Sequence, residues 1–305
     1  MSKLQIPTTI VLISGMILII TTEKSISSND NNNKDTSSAE YNLVWSDEFD
    51  KDGRPDPNKW TYEKGFVRNE ELQWYQPENA RCENGMLIIE GKKERRQNPR
   101  YRPDSDNWRA NREFAEYTSA SMTTRGLHNW MYGRFEMRGR IDTRPGLWPA
   151  FWTLGTQGRW PACGEIDIME YYQGMLLANA AWASEKRWTP IWDDTKKPIT
   201  DFNDPDWSDK FHIWRMDWDP NNIELYVDNI LLNTIDLKET FNQDAQKNNP
   251  FRQPHYIILN LAIGGTVGGN PSETEFPAKF EVDYVRIYQK PSQTASDEKN
   301  TQANM

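Results

Sequence analysis

Across residues 41–290 the apolar positions come in short runs broken by Gly, Pro, Asn and Asp, and the three-to-four-residue recurrence of an amphipathic helix is scarce. Phe135-Glu136-Met137-Arg138 and Val282-Asp283-Tyr284-Val285-Arg286-Ile287-Tyr288 show the apolar/polar alternation of half-buried strands. The runs predict strands at 86–90, 119–124, 133–140, 150–154, 165–172, 176–182, 211–218, 223–227, 230–233, 256–263 and 280–288. Asp228-Asn229, between two of them, is a hairpin-turn signal. Many short antiparallel strands predict an all-β fold, a two-sheet sandwich or β-jelly roll of curved antiparallel sheets, one concave face of which would carry the candidate chemistry.

One predicted strand breaks the apolar rule. Gly164-Glu165-Ile166-Asp167-Ile168-Met169-Glu170-Tyr171-Tyr172 sets three carboxylates among apolar residues. Strand alternation puts Glu165 and Asp167 on one face and Ile166 and Ile168 on the other, but it would give Met169, not Glu170, to the acidic face. A β-bulge around Ile168 and Met169 returns Glu170 to that face. The two glutamates then stand roughly 13 Å apart at Cα, at about 3.3 Å per residue. Side chains leaning together approach the ~5–5.5 Å of a nucleophile and an acid/base in retaining glycosidases. Mutual repulsion should raise at least one pKa, and the retained proton is assigned to Glu170. Taken alone, three acids also fit an exposed strand edge with scattered charges.

The composition tilts that choice. The 305 residues include 14 Trp, 12 Tyr and 11 Phe. Trp74, Trp108, Trp130, Trp160, Trp188, Trp192 and Trp207 have polar neighbours in sequence and read as a binding surface, since flat aromatic faces suit the C–H faces of sugar rings. Trp45, Trp152, Trp214 and Trp218 lie in strand-like runs and fit core packing at least as well.

A net charge of −9 argues against nucleic acid or an anionic membrane surface as partner, and a neutral or weakly charged polymer fits better. The local run Lys92, Lys93, Arg95, Arg96, Arg100 and Arg102 reads as a solvated loop. Residues 1–26, with Lys3 before an apolar stretch from Ile6 to Ile20, read as a secretory signal peptide. No small-x-small cleavage site follows, so an uncleaved anchor stays open. Residues 27–40 read as a disordered linker, 41–290 as one catalytic domain and 291–305 as a flexible tail. The expected protein is exported, has no membrane-embedded partner and acts as a monomer. Cys82 and Cys163 leave a disulfide and two buried thiols equally open, and His212 reads as a satisfied strand residue.

The run 164–170 resembles the active-site strand of glycoside hydrolase family 16, in the bulged E-x-D-x-x-E form of laminarinases and β-glucanases. Further segments agree in order: Trp45-Ser46-Asp47-Glu48-Phe49, Asn69-Glu70-Glu71-Leu72-Gln73-Trp74-Tyr75, Tyr132-Gly133-Arg134-Phe135-Glu136 and Gly146-Leu147-Trp148-Pro149-Ala150-Phe151-Trp152. The resemblance implies a jelly roll and endo-acting hydrolysis with retention. It makes Glu165 the nucleophile, Glu170 the acid/base and Asp167 the group that tunes the nucleophile. It places Asn69, Trp148 and Trp152 in the cleft, with Arg81 as a further contact. No cofactor is required, and Asp283 is the candidate ligand of a structural calcium. One departure stands out: laminarinase-like enzymes commonly carry a histidine in the next strand, whereas this chain reads Leu177-Ala178-Asn179-Ala180-Ala181-Trp182. Trp182, Trp188 or Trp192 is then a candidate stacking platform, and Trp160 is a further candidate substrate contact.

Three functions follow from these readings. The first is an endo-β-glucanase acting on β-1,3-glucan (laminarin) or mixed-linkage β-1,3/1,4-glucan. The second is the same chemistry on agar-type galactan or poly-N-acetyllactosamine chains, motivated by the missing histidine. The third is a non-catalytic glycan-binding protein, against which the complete acid set argues.

Overall fold

A computed structural model describes residues 41–244 and 247–291. The segments read as signal peptide and linker, and all of the tail beyond residue 291, lie outside the described residues.

Two antiparallel sheets face each other. One runs β17 (Ile230–Asp236), β16 (Asn222–Val227), β15 (His212–Trp218), β10 (Gly133–Ile141), β19 (Ala278–Gln289), β5 (Met86–Gly91) and β4 (Ala80–Glu83), with β1 (Asn42–Asp47) also on β19. The other runs β14 (Pro190–Pro198), β13 (Met175–Ala183), β12 (Glu165–Tyr172), β11 (Leu147–Gly155), β18 (His255–Ile263), β9 (Ser121–Thr123) and β2 (Thr61–Tyr62). Two small pairs, β3 (Gln73–Tyr75) with β8 (Tyr117–Ser119) and β6 (Arg96–Gln97) with β7 (Phe114–Ala115), complete the described strands. The arrangement is the expected jelly-roll sandwich.

The core fills the space between the sheets. Phe135 and Met137 of β10, Trp214, Met216 and Trp218 of β15, and Phe280 and Val282 of β19 meet Phe151 of β11, Ile166 and Ile168 of β12, and Leu259 and Leu261 of β18. β10 and β15 alternate buried and half-exposed positions, as their sequences predict. In β11 and β18 nearly every position is buried, because the outward face of these central strands carries a second cluster of Ala150, Trp152, Tyr256 and Ile258. That face is the cleft.

Several elements differ from the sequence expectation. The strand expected at 119–124 splits about Ala120: β8 pairs in parallel with β3, while β9 joins β18. β14 was not expected, because Thr195, Lys196 and Lys197 carry no apolar signal; it is the edge of the cleft sheet, where charge discourages further strand pairing. The Asp228-Asn229 turn is as expected, with φ of 46° and 67°, the left-handed pair that a two-residue hairpin needs. Three of the polar-flanked tryptophans, Trp74, Trp130 and Trp207, are buried packing residues. Trp207 stacks on His212, whose imidazole Nε2 lies 2.8 Å from the Trp207 carbonyl and whose Nδ1 meets Asp228. Polar neighbours in sequence say little about the fold position of a side chain that alternation turns inward.

Candidate active site

The bulge lies where the acids require it. On the β11 side, Trp152 pairs with Asp167 and Phe151 with Met169, so Ile168 is the extra residue. On the β13 side, Glu165, Asp167 and Glu170 pair with Ala181, Asn179 and Leu177, successive same-face positions of a regular strand. Ile168 and Met169 both enter the core, and the three acids line one face. The preceding Gly164 has φ of +77°, and a Cβ there would come within 2.9 Å of Pro250 Cβ, so glycine is required at the entry to the strand.

The acids form the floor of a cleft of about 690 Å³, a volume typical of ligand sites. Each glutamate is held by an indole. Trp160 Nε1 donates to Glu165 Oε2 at 2.7 Å, and Trp148 Nε1 donates to Glu170 Oε1 at 2.6 Å. Asn179 Nδ2 is 3.5 Å from Asp167 Oδ2. Burial pushes Glu165 up to about 7, with the Trp160 hydrogen bond and the Arg68 charge pulling the other way. Glu170 also rises to about 7, through burial first, against the Trp148 hydrogen bond. Asp167 is raised well above the usual carboxylate range, by burial first and then by both glutamates. Its hydrogen bond with Glu165 favours the proton on Asp167 and the charge on Glu165. Two carboxyls thus stay poised near neutral pH, which a nucleophile and an acid/base require.

Of the other predicted site residues, Asn69, Trp148, Trp152 and Trp160 line the cleft. Asn69 sits in a loop with positive φ at Asn69 and Glu70, 53° and 51°, and Thr266 N donates to the Asn69 carbonyl at 2.8 Å. Arg81 does not reach the cleft: it lies on β4 of the opposite sheet, in ion pairs with Glu83 and Glu90. Trp182 is turned into the core against Phe251, because Leu177 and Asn179 set the cleft parity of β13 and an even-numbered neighbour faces the other way. Trp188 is exposed beside Arg187, outside the cleft wall. Asp283 Oδ2 accepts from Arg138 Nη1 at 2.6 Å, and among the described residues no three His, Cys, Asp or Glu gather to hold a metal. A guanidinium at that carboxylate does not fit a calcium ligand. Cys82 and Cys163 are buried free thiols, each pushed up to about 11 by burial.

The cleft also holds residues not singled out in the sequence. Arg68, Glu71, Tyr172, Asn179, Lys196 and Asn260 all line it, and Trp192, one of the polar-flanked tryptophans read as a binding surface, lines it too. Asn260 was legible as a lone amide in the apolar run Ile257-Ile258-Leu259-Asn260-Leu261; its Oδ1 accepts from Trp152 Nε1 at 2.7 Å and its Nδ2 donates to the Tyr75 hydroxyl at 3.2 Å. Arg68 and Lys196 gave no comparable signal.

Comparison with known proteins places the chain. A family model described as Glycosyl hydrolases family 16 matches residues 94–286. The beta-glucanase of Rhodothermus marinus is 37% identical over 264 residues, spanning 82% of this chain and 86% of that protein. The catalytic domain of an endo-1,3-beta-glucanase (laminarinase) from Thermotoga petrophila RKU-1 superposes with a TM-score of 0.69 at 35% identity, covering 83% of this chain and 100% of that one. A structure described with the endo-acting O-glycanases that prominent members of the human gut microbiota express to initiate mucin breakdown superposes with a TM-score of 0.76 at 36% identity, covering 84% and 93%. With three acids on one bulged strand and these matches across most of its length, the chain belongs to glycosyl hydrolases family 16 and is a glycoside hydrolase.

Proposed function

We propose that this enzyme is exported and cleaves internal bonds of β-1,3-glucan or mixed-linkage β-1,3/1,4-glucan by double displacement. The observation that carries the chemistry is the register of Glu165, Asp167 and Glu170 at successive same-face positions of a buried strand. Glu165 attacks the anomeric carbon while Glu170 protonates the departing glycosidic oxygen. Glu170, now a carboxylate, takes a proton from water, and the resulting nucleophile releases the sugar from Glu165. Side chains of one chain supply every step, in keeping with a monomer. The glucan reading is supported by the beta-glucanase and laminarinase relatives at 35–37% identity. Export is supported by the apolar N-terminal stretch alone.

A second reading has its own support. The strand after the catalytic one, Leu177-Ala178-Asn179-Ala180-Ala181-Trp182, has no histidine where laminarinase-like enzymes commonly carry one, and the mucin-associated O-glycanase structure superposes well. It assigns the same chemistry to galactose-containing chains. A panel of laminarin, mixed-linkage glucan, agarose and keratan-type chains separates the two. The glucan reading expects short glucose oligosaccharides from the first two; cleavage confined to the galactose-containing polymers would replace it with the second.

A further inference from the structure

Residues 98–113, which join β6 to β7, make a long connection for a two-stranded pair, and two of its side chains bond to the backbone of the 67–71 loop. We propose that these two, Arg109 and Arg112, are positioning residues for polysaccharide binding: their guanidinium groups fix the backbone of residues 67–71 and so hold the Asn69 amide in the cleft wall against the sugar chain. The inference rests on the reading of the cleft as a polysaccharide site, whichever polymer fills it, and goes beyond that reading by naming what shapes one wall.

The loop needs support from outside itself. Asn69 and Glu70 are consecutive left-handed residues, φ 53° and 51°, and neither is glycine. Such backbone persists only where its surroundings over-determine it. Its carbonyls show where that support comes from. Arg109 Nε and Nη2 both donate to the Val67 carbonyl, the former at 3.0 Å. Arg112 Nη2 donates to the Glu70 carbonyl at 2.9 Å and Arg112 Nη1 to the Glu71 carbonyl at 2.6 Å. Between them, Thr266 N donates to the carbonyl of Asn69 itself at 2.8 Å. The two arginines therefore bracket Asn69 from both sides, and Asn69 lines the cleft.

The arginines are fixed in their turn. The Arg109 guanidinium lies 4.5 Å from the Trp108 ring centre, and that of Arg112 lies 5.1 Å from the same ring and 5.2 Å from Phe66. Phe66 packs with Trp74 and Ala115 in a cluster of its own, with Trp108 against it. Asn98, 2% exposed, donates through Nδ2 to the carbonyls of Arg109 and Arg112 at 2.9 and 2.8 Å. A flat cation stacked on aromatic faces, with its N–H edge turned to two carbonyls, is a geometry that lysine reproduces only in part. Glu165, Asp167 and Glu170 are fixed differently, by the pairing of β12 with β11 and β13. The brace thus acts on binding and leaves the acids in place.

The test measures kcat and KM on the polysaccharide that the wild type cleaves, for Arg112→Met, Arg112→Lys, Arg109→Met, Asn69→Ala and the Arg112→Met/Asn69→Ala double variant. Arg112→Met should raise KM about tenfold with kcat within about threefold of wild type, the pattern of lost uniform binding. Arg112→Lys should recover part of that loss. In the double variant the arginine change should add less than about threefold to the effect of Asn69→Ala, because one acts through the other. If Arg112→Met fails to fold, Arg109→Met carries the same expectation, and failure of both to fold would overturn the proposal by making the segment a requirement of the fold. A KM within about twofold of wild type, a loss carried by kcat, or full additivity with Asn69→Ala would overturn it too. A wild type that cleaves no polysaccharide would instead overturn the reading of the cleft beneath it.

Discussion

Glu165→Gln is expected to lower kcat/KM on the cleaved polysaccharide by at least about 10⁴-fold, the scale seen when a covalent nucleophile is removed. The amide matches the carboxylate in shape and still offers Trp160 Nε1 an acceptor oxygen, so the fold and cleft should survive. Oligosaccharide affinity, measured by calorimetry, should stay within a few-fold of wild type. The split matters because a residue that only bound sugar would lose affinity and rate together. Activity within tenfold of wild type would remove Glu165 from the nucleophile's role.

Glu170→Gln should cost about 10³-fold in kcat/KM on polysaccharide, where the leaving alcohol needs a proton. On an aryl glycoside with a dinitrophenolate leaving group, kcat/KM should fall less than about tenfold, because that group departs without protonation. Equal losses on both substrates would rule out the acid role. The same variant has a stability signature. The folded-state pKa of Glu170, about 7, lies above its ordinary value of 4.5. Its protonated form therefore contributes fully below about pH 4.5, and that contribution is lost as pH rises through about 7. Glu170→Gln escapes the loss, so it should be more stable than wild type at pH 8, by on the order of 1–3 kcal/mol, and equal to it at pH 4 by denaturant titration.

The sequence reveals the catalytic strand because its chemistry conflicts with its pattern. Three acids inside Ile166, Ile168 and Met169 are legible only if the strand bulges, and the pairing of Asp167 with Asn179 and Glu170 with Leu177 contains that bulge. The half-buried strand β10 is legible for the opposite reason, that alternation there is undisturbed. What the sequence hides depends on parity and on long-range approach. Trp182 and Asn179 differ by an odd number of positions, so they face opposite sides, and a tryptophan near an active-site strand is drawn into the core. Arg68 and Glu71 reach the cleft through a loop anchored to Ile263 and Thr266, nearly two hundred residues away, where the close approach of Gly265 to the Asn69 carbonyl would place a Cβ at 2.7 Å. No local pattern encodes such a contact. Arg81 shows the converse: it follows the segment matching the family, yet its strand belongs to the other sheet.

The claim joining fold, site and chemistry is that Glu165 forms a covalent bond to the sugar, and it is read most directly from the anomer first released. A proton NMR time course of polysaccharide cleavage by the wild-type enzyme should show the β-anomer appearing first, with the α-anomer growing only as mutarotation proceeds. An α-anomer at the earliest time points would mean a single inverting displacement, and would contradict Glu165 as nucleophile and Glu170 as acid/base.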